Sequence, residues 1–208
     1  MVRVELGAAV AMAREIAEEV LAPEAAAVDE EHRWPDKGMA VLRYRLGGLV
    51  VPTECGGMGH GLLAVAQVGE ATGRACASTS ICFGMHLVGS AVIAAKASRR
   101  QREQYLEPIG AGEHLTTLAL SEPGTGGEFW LPQTRMERVG GDRLRLTGAK
   151  SFVTNAATRI PMSCPRWLPA RESRRDSSRA RWSTPPCRDW SGGRPGRVSV
   201  CAVTPHAG

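Results

Sequence analysis

Apolar residues recur at three- and four-residue steps through the first 112 positions, which is the spacing of amphipathic helices. In the first helical segment this pattern runs from Val10 to Leu21, and Pro23 then interrupts it. Because proline lacks the amide hydrogen and clashes with the preceding turn, we expect this helix to kink or to end near Leu21. The helices predicted from the spacing cover residues 7–30, 36–46, 61–73, 76–97 and 99–110.

The helix predicted over residues 76–97 is apolar or small on every side as far as Lys96. A helix without a polar face is expected to be buried in a core. Its histidine, His86, is therefore interpreted as a hydrogen-bonded core residue rather than as a catalytic base.

The period of the pattern changes at His114, where strand-like segments begin. LTTLAL has the composition of a strand, and TRMERV and RLRLT flank Gly140, Gly141 and Asp142 as in a hairpin. After Lys150, which we expect to be partly solvated, SFVTNA predicts one more strand. Helices followed by strands predict an α+β fold with segregated layers.

After Thr158 neither period survives, and the charge changes sign. Residues 159–208 contain 10 arginines, no lysine and 3 acids, whereas the first 158 residues carry a net charge of −2. This composition is what GC-rich coding DNA yields in a wrong reading frame, so an out-of-frame tail is the first interpretation. A genuine disordered Arg/Pro/Ser tail is the second. An arginine-rich nucleic-acid arm is the third.

The overall composition narrows the class of protein. With 208 residues and 43% hydrophobic content, the chain is large enough to build a core. The sequence has no apolar run of 18 residues, so we expect no membrane span. Glutamates interrupt the early apolar stretch, whereas a secretory signal has an uninterrupted apolar region. The six cysteines form no CxxC pair, so we expect neither a metal site nor disulfides, and a cytoplasmic location.

The segment LALSEPGTGG, residues 118–127, is the strongest candidate for chemistry. Its glycines leave backbone N–H groups without obstructing side chains, and such a concave row of donors suits an anion or the polar edge of a planar ring. Ser121 adds a hydroxyl that can donate or accept a hydrogen bond. A glycine loop alone is weak evidence, because a plain connection between strands has the same composition.

Four segments in order make the chain resemble the acyl-CoA dehydrogenases: VPTECGGMG, RRQREQYLEPIGAGE, LALSEPGTGG and LTGAKSFVTNA. The resemblance covers roughly residues 7–157. It implies an N-terminal all-α helical domain over residues 1–113 and the start of a middle β-barrel domain over residues 114–158. The barrel is then incomplete, and residues 159–208 follow as an irregular tail.

The resemblance also implies a set of cofactor contacts. FAD is expected to lie against the 118–127 loop, where Ser121 replaces the family's threonine. It is also expected to lie against FVT, where Phe152 replaces the family's tryptophan. Gly127 stands in place of a serine that touches the acyl-CoA substrate, and Glu128 and Phe129 replace a lone aspartate. The implied FAD-binding residues are Leu118, Leu120, Ser121, Gly126, Gly127, Phe152, Val153 and Thr154.

The activity implied by the resemblance is α,β-dehydrogenation of an acyl-CoA thioester with hydride transfer to the flavin. In the family a glutamate of a C-terminal helical domain is the base, and that domain also forms most of the oligomer interface. Glu122 does not hold that position. We therefore expect a truncated and inactive relic, with no residue of this chain assigned as catalytic.

Three other readings remain open at this point. A partner chain could supply the base, or the scaffold could serve a related flavin monooxygenase. The third is a non-enzymatic helical module with an arginine-rich nucleic-acid tail.

Overall fold

The computed structural model describes residues 4–138, 144–156, 162–163 and 198–199. Helices occupy the first part of this range and short strands the second, so the predicted α+β class is confirmed. The Arg-rich segment, residues 159–208, lies outside the described residues except for two strand fragments, and so does the predicted turn at residues 140–142.

The first helical segment stays helical through its proline. It comprises α1 (Leu6–Ile16), a π-helical turn (Ala17–Leu21) and α2 (Ala22–Glu30). Of the two predicted outcomes, a kink or an end near Leu21, the helix does not end there, and its regular pattern of hydrogen bonds is interrupted instead. Within the π turn the Ala22 amide donates to the Ala17 carbonyl five residues earlier. This wider turn makes room for the ring of Pro23, which would otherwise clash with the carbonyl four residues before it.

The last helical segment uses the same arrangement. After α6 (Arg99–Gln101) a π turn (Arg102–Leu106) leads into α7 (Glu107–Gly110), which contains Pro108. The segment begins at a capping box in which Ser98 and Gln101 exchange hydrogen bonds. Both π turns therefore end two residues before a proline, and both let a helix continue across it.

The remaining helices are α3 (Asp36–Leu46), α4 (Leu62–Ala75) and α5 (Ala77–Lys96), close to the predicted spans. A short 3₁₀ turn, Thr53–Cys55, lies between α3 and α4. Residues from α1, α3, α4 and α5 form the main core. Its fully buried large side chains include Ile16, Met39, Leu42, Leu46, Phe83 and Leu87.

Helix α5 is buried on one face only, so the expectation of full burial was wrong. Its buried face carries Phe83, His86 and Leu87, whereas Ile81 on the opposite side is 59% exposed. By length and composition alone this helix could cross a membrane, and within the described residues no other helix meets that test. The core helix of a globular domain passes it equally well, and the buried face of α5 packs in such a core.

The strands are short, and those that the structure describes form three separate two-stranded pairs. Strand β1 (Leu115–Thr116) precedes the hairpin of β2 (Arg135–Arg138) and β3 (Leu144–Thr147), which confirms the predicted antiparallel pairing. Arg135 lies opposite Thr147, and Met136 lies opposite the buried Leu146. Strand β4 (Ala149–Lys150) pairs antiparallel with β6 (Val198–Ser199), and β5 (Met162–Ser163) pairs parallel with β1.

The predicted strand SFVTNA is not a strand. Residues 151–156 form a bend and a turn, with positive φ at Phe152 (53°) and Asn155 (68°). Extended strands do not accommodate these backbone angles, so the apolar composition of the segment was misleading. The consequence is that Phe152 lies at a corner of the chain rather than in a sheet.

Candidate functional site

The 118–127 loop leaves the helical layer and turns at its exposed glycines. Leu118, Leu120 and Ser121 are half-buried, whereas Gly126 and Gly127 are exposed. Gly126 has φ of 51°, and a Cβ atom added at either glycine would meet no atom within 4 Å. The amide of Thr125 donates to the Glu122 carbonyl, which closes the turn. The glycines therefore leave open space beside the backbone, as the sequence predicted.

A backbone hydrogen bond brings the two predicted cofactor segments together. The Ser151 amide donates to the Ser121 carbonyl at 2.9 Å, although the two residues are far apart in sequence. The next residue, Phe152, is 90% exposed, and Val153 and Thr154 are half-buried. An aromatic ring this exposed, on a corner of positive φ beside an open glycine loop, presents a flat apolar face to a ligand.

Lys150 lies beneath this loop, in a buried ion pair that was not predicted from the sequence. Its Nζ donates to Glu122 Oε1 at 2.7 Å and to the Leu120 carbonyl at 3.0 Å, and both charged side chains are 3% exposed. The expectation that Lys150 is partly solvated was therefore wrong. A buried charge requires a partner, and here the partner comes from the loop itself.

The carboxylate of Glu122 accepts several hydrogen bonds. Besides Lys150, its carboxylate accepts from the amides of Gln133 and Thr134 and from the Thr134 hydroxyl. Burial works against ionisation of this carboxyl, but the hydrogen bonds from Lys150, Thr134 and Gln133 lower its pKa below the ordinary value. A carboxylate held in this way is a poor proton acceptor.

Asn155 attaches the Phe152 corner to the helical layer. Its Nδ2 donates to the Cys82 carbonyl of α5 at 2.9 Å, and its Oδ1 accepts from the Trp34 indole at 3.1 Å. The sequence reading did not single out Asn155. A signal was available, because asparagine is among the few residues that tolerate positive φ.

His86 is a core residue, as predicted. Its Nε2 lies 3.2 Å from the Gly47 carbonyl, and its Nδ1 accepts from the Thr116 amide at 3.1 Å. These partners require the neutral tautomer that carries its proton on Nε2. Burial lowers the pKa of His86 to about 4. The imidazole thus joins α5 to β1 and to Gly47, the residue that follows α3, and is not available as a base.

Two further features lie near these elements. Phe129 and Trp130 form an exposed edge-to-face pair with ring centroids 5.2 Å apart, just after the glycine loop. Between α4 and α5 lies a mainly apolar cavity of about 330 Å³, whose lining includes Val65, Ile81 and Gly84.

Within residues 4–138 and 144–156, no cluster of three or more His, Cys, Asp or Glu side chains could hold a metal ion.

Comparison with known proteins identifies the family. The profile described as the N-terminal domain of acyl-CoA dehydrogenase matches residues 5–113, more than half of the chain. The chain belongs to the acyl-CoA dehydrogenase family. The human mitochondrial short-chain specific acyl-CoA dehydrogenase is 36% identical over 149 residues, which are 69% of this chain and 35% of the human protein. The chain therefore spans about a third of the length of the curated relatives it matches.

Solved acyl-CoA dehydrogenases share the fold. The enzyme from Bacillus anthracis, complexed with FAD, is 27% identical with a TM-score of 0.64 over 76% of this chain and 28% of its own. Butyryl-CoA dehydrogenase from Megasphaera elsdenii superimposes with a TM-score of 0.68 at 21% identity, over 79% of this chain and 44% of its own. Both likenesses extend past the helical domain into the strands.

The residues present fit the flavin that this acyl-CoA dehydrogenase family implies. The loop offers open backbone at Gly126 and Gly127 and a hydroxyl at Ser121, and Phe152 offers an exposed flat ring. Ser121 supplies a hydroxyl, and Phe152 supplies a flat apolar face.

Proposed function

We propose that this chain binds FAD and forms part of an acyl-CoA dehydrogenase that oxidises a CH–CH bond of an acyl thioester. The hydrogen bond between Ser151 and Ser121 carries the proposal, because it brings the glycine loop and the exposed Phe152 ring to one place. The proposed flavin contacts are Leu118, Leu120, Ser121, Gly126, Gly127, Phe152, Val153 and Thr154.

Each of these groups has a distinct task in the proposed site. Bound FAD would supply the hydride acceptor for the substrate's β-hydrogen. Phe152 would hold the flavin ring through its flat face, and Ser121 and Thr154 would offer hydroxyls to the polar atoms of the ring. The glycine backbone lies where no side chain blocks the remainder of the cofactor.

The acyl-CoA is proposed to approach from the side of Gly127 and α5. No Cβ contact crowds Gly127, and the exposed face of α5 presents Ile81, Val88 and Val92. The cavity beside Gly84 continues this apolar surface between α4 and α5. An apolar cavity of this kind suits a hydrocarbon chain better than a charged ligand.

We further propose that this polypeptide by itself does not dehydrogenate acyl-CoA. The reaction needs a carboxylate that can take the α-proton, and Glu122, the acid of the loop, is already engaged by Lys150, Thr134 and Gln133. Its lowered pKa also reduces its basicity. FAD binding and dehydrogenation are therefore separable properties of this chain.

A titration of the purified chain with FAD, followed by quenching of flavin fluorescence, tests the proposal. Saturable binding is expected, and Phe152→Ala should weaken it about tenfold because a stacked ring is lost. Phe129→Ala is the matched control, since it removes an exposed ring not assigned to the flavin. Absence of FAD binding to the folded chain would refute the function, and acyl-CoA-dependent dye reduction would refute the inactivity.

A further inference from the structure

The buried pair of Lys150 and Glu122 controls the orientation of one peptide group in the loop. Lys150 Nζ donates to the Leu120 carbonyl at 3.0 Å. In a trans peptide the carbonyl and the N–H of the same unit point in opposite directions. Because the Leu120 carbonyl points inward to Lys150, the Ser121 N–H points to the opposite side, away from the buried lysine.

The next peptide group is oriented from the other side of the loop. The Ser121 carbonyl accepts from the Ser151 amide at 2.9 Å. The loop is thus held at two consecutive carbonyls, those of Leu120 and Ser121. No hydrogen bond within the described part of the chain uses the Ser121 N–H. Both neighbouring carbonyls are committed, and within the described residues the N–H between them has no acceptor, which leaves it available to a ligand.

Glu122 keeps the lysine in place. Its carboxylate bonds Lys150, and the Gln133 amide and Thr134 hold its other lone pairs. Thr134 directly precedes strand β2, so the pair connects the loop to the start of the hairpin as well as to β4. This arrangement is costly to bury, and its geometry leaves little freedom for the lysine to turn elsewhere.

We propose that Lys150 and Glu122 are positioning residues for the flavin: by fixing the Leu120 carbonyl they turn the Ser121 N–H toward the polar edge of the bound ring. The inference rests on the proposed FAD function. It assigns a role to two residues that touch neither cofactor nor substrate themselves. An N–H held toward the ring stabilises the negative charge that the flavin gains on reduction, so affinity and reduction potential both depend on the pair.

The test compares Glu122→Gln with Glu122→Gln/Lys150→Met. Lys150→Met alone would strand a buried carboxylate and could unfold the chain, whereas the double variant buries no unpaired charge. Glu122→Gln keeps Lys150 charged beside the Leu120 carbonyl, whereas the double variant removes both the lysine charge and its bond, so the two variants differ at Lys150 alone. Thermal unfolding first establishes that each one folds cooperatively.

We expect the double variant to bind FAD about tenfold more weakly than Glu122→Gln, the size of one lost oriented hydrogen bond. At saturating FAD its flavin should have a more negative reduction potential. The matched control is Lys37→Met/Glu24→Gln, which removes a more exposed pair of the same residue types, together with the ion pair of Glu24 with Arg33, and should leave both quantities unchanged.

The outcomes separate the two levels of the proposal. Equal FAD affinity and equal potential in Glu122→Gln and the double variant would overturn the positioning role while leaving FAD binding intact. A folded wild-type chain that does not bind FAD would overturn the proposed function and this inference with it. Weaker binding with an unchanged potential would assign the pair to loop stability alone and would also overturn the positioning role.

Discussion

The indole N–H of Trp34 donates to Asn155 Oδ1 at 3.1 Å, across 121 positions of sequence. Trp34 directly precedes Pro35 and helix α3, and Asn155 lies three residues after Phe152. This contact, together with the bond from Asn155 to the Cys82 carbonyl, attaches the corner that carries Phe152 to the helical layer.

Replacing Asn155 should therefore destabilise the fold and displace the corner. Asn155→Ala loses two hydrogen bonds and places alanine at φ of 68°, so we expect the free energy of unfolding to fall by about 2–3 kcal/mol. Trp34→Phe removes one of the bonds and should cost about 1 kcal/mol. Urea unfolding measures both, and an Asn155→Ala loss below about 0.5 kcal/mol would contradict the role of this residue.

His86 should make the protein less stable in mild acid. The pKa of His86 is about 4 in the folded state, against an ordinary value of 6.5. Between these pH values the imidazole is therefore protonated in the unfolded chain and neutral in the native state. Between those pH values the free energy of unfolding should decrease as pH falls, by up to about 3 kcal/mol. Half-buried His114, whose pKa is also lowered by burial, adds to the same trend.

The control for this pH effect is His86→Gln, which has no titrating imidazole. Its overall stability should be lower, but its dependence on pH between 4 and 6.5 should be shallower than that of the wild type. Unfolding curves in urea at several pH values measure the slope. Identical slopes in the two proteins would show that His86 does not titrate as described.

Two glycines of α5 should respond oppositely to alanine. A Cβ atom at Gly89 would lie 2.5 Å from Thr116 Oγ1 and 3.0 Å from the Thr117 backbone, whereas one at Gly84 meets nothing within 4 Å. Gly89→Ala should therefore destabilise by about 1–3 kcal/mol through overpacking. Gly84→Ala should stabilise by up to about 1 kcal/mol through helix propensity. Thermal or urea unfolding distinguishes them, and equal effects would contradict the close packing of β1 on α5.

The thiol of Cys82 should be unreactive in the native state. Burial, with a smaller effect of Cys76, raises its pKa from 9.0 to about 11, so the thiolate fraction at pH 8 falls about a hundredfold. Mass spectrometry of the peptide that contains Cys82, after alkylation in native buffer and in denaturant, measures the difference. Rapid native alkylation would mean that α5 opens far more readily than its packing indicates.

Hydrophobic spacing was sufficient to predict the helices because it is a local property. Helix α3 spans the residues that the pattern marked, and the β2–β3 hairpin pairs as its alternation required. The spacing did not reveal the π turns, because it records which positions are apolar and not how a carbonyl makes room for Pro23. It also overestimated the burial of α5, because composition does not tell how many neighbours a helix has.

The candidate site, too, was predicted from the sequence only in part. Ordered motifs were enough to mark the 118–127 loop and the FVT segment as belonging together, and the Ser121–Ser151 contact agrees with that grouping. Lys150 was misjudged because its counter-charge lies 28 positions earlier in the sequence, at Glu122. Nothing adjacent to Lys150 indicates that it is buried.

The sequence by itself determined the order of the helices, the change from helices to strands, the family and the glycine loop, because each of these depends on residues that are close in sequence. Only the tertiary structure decided that SFVTNA forms a corner, that Glu122 forms a buried ion pair with Lys150 and that Asn155 accepts a hydrogen bond from Trp34. These facts depend on contacts between distant segments, whose hydrogen bonds and burial outweigh local propensity once the chain is packed.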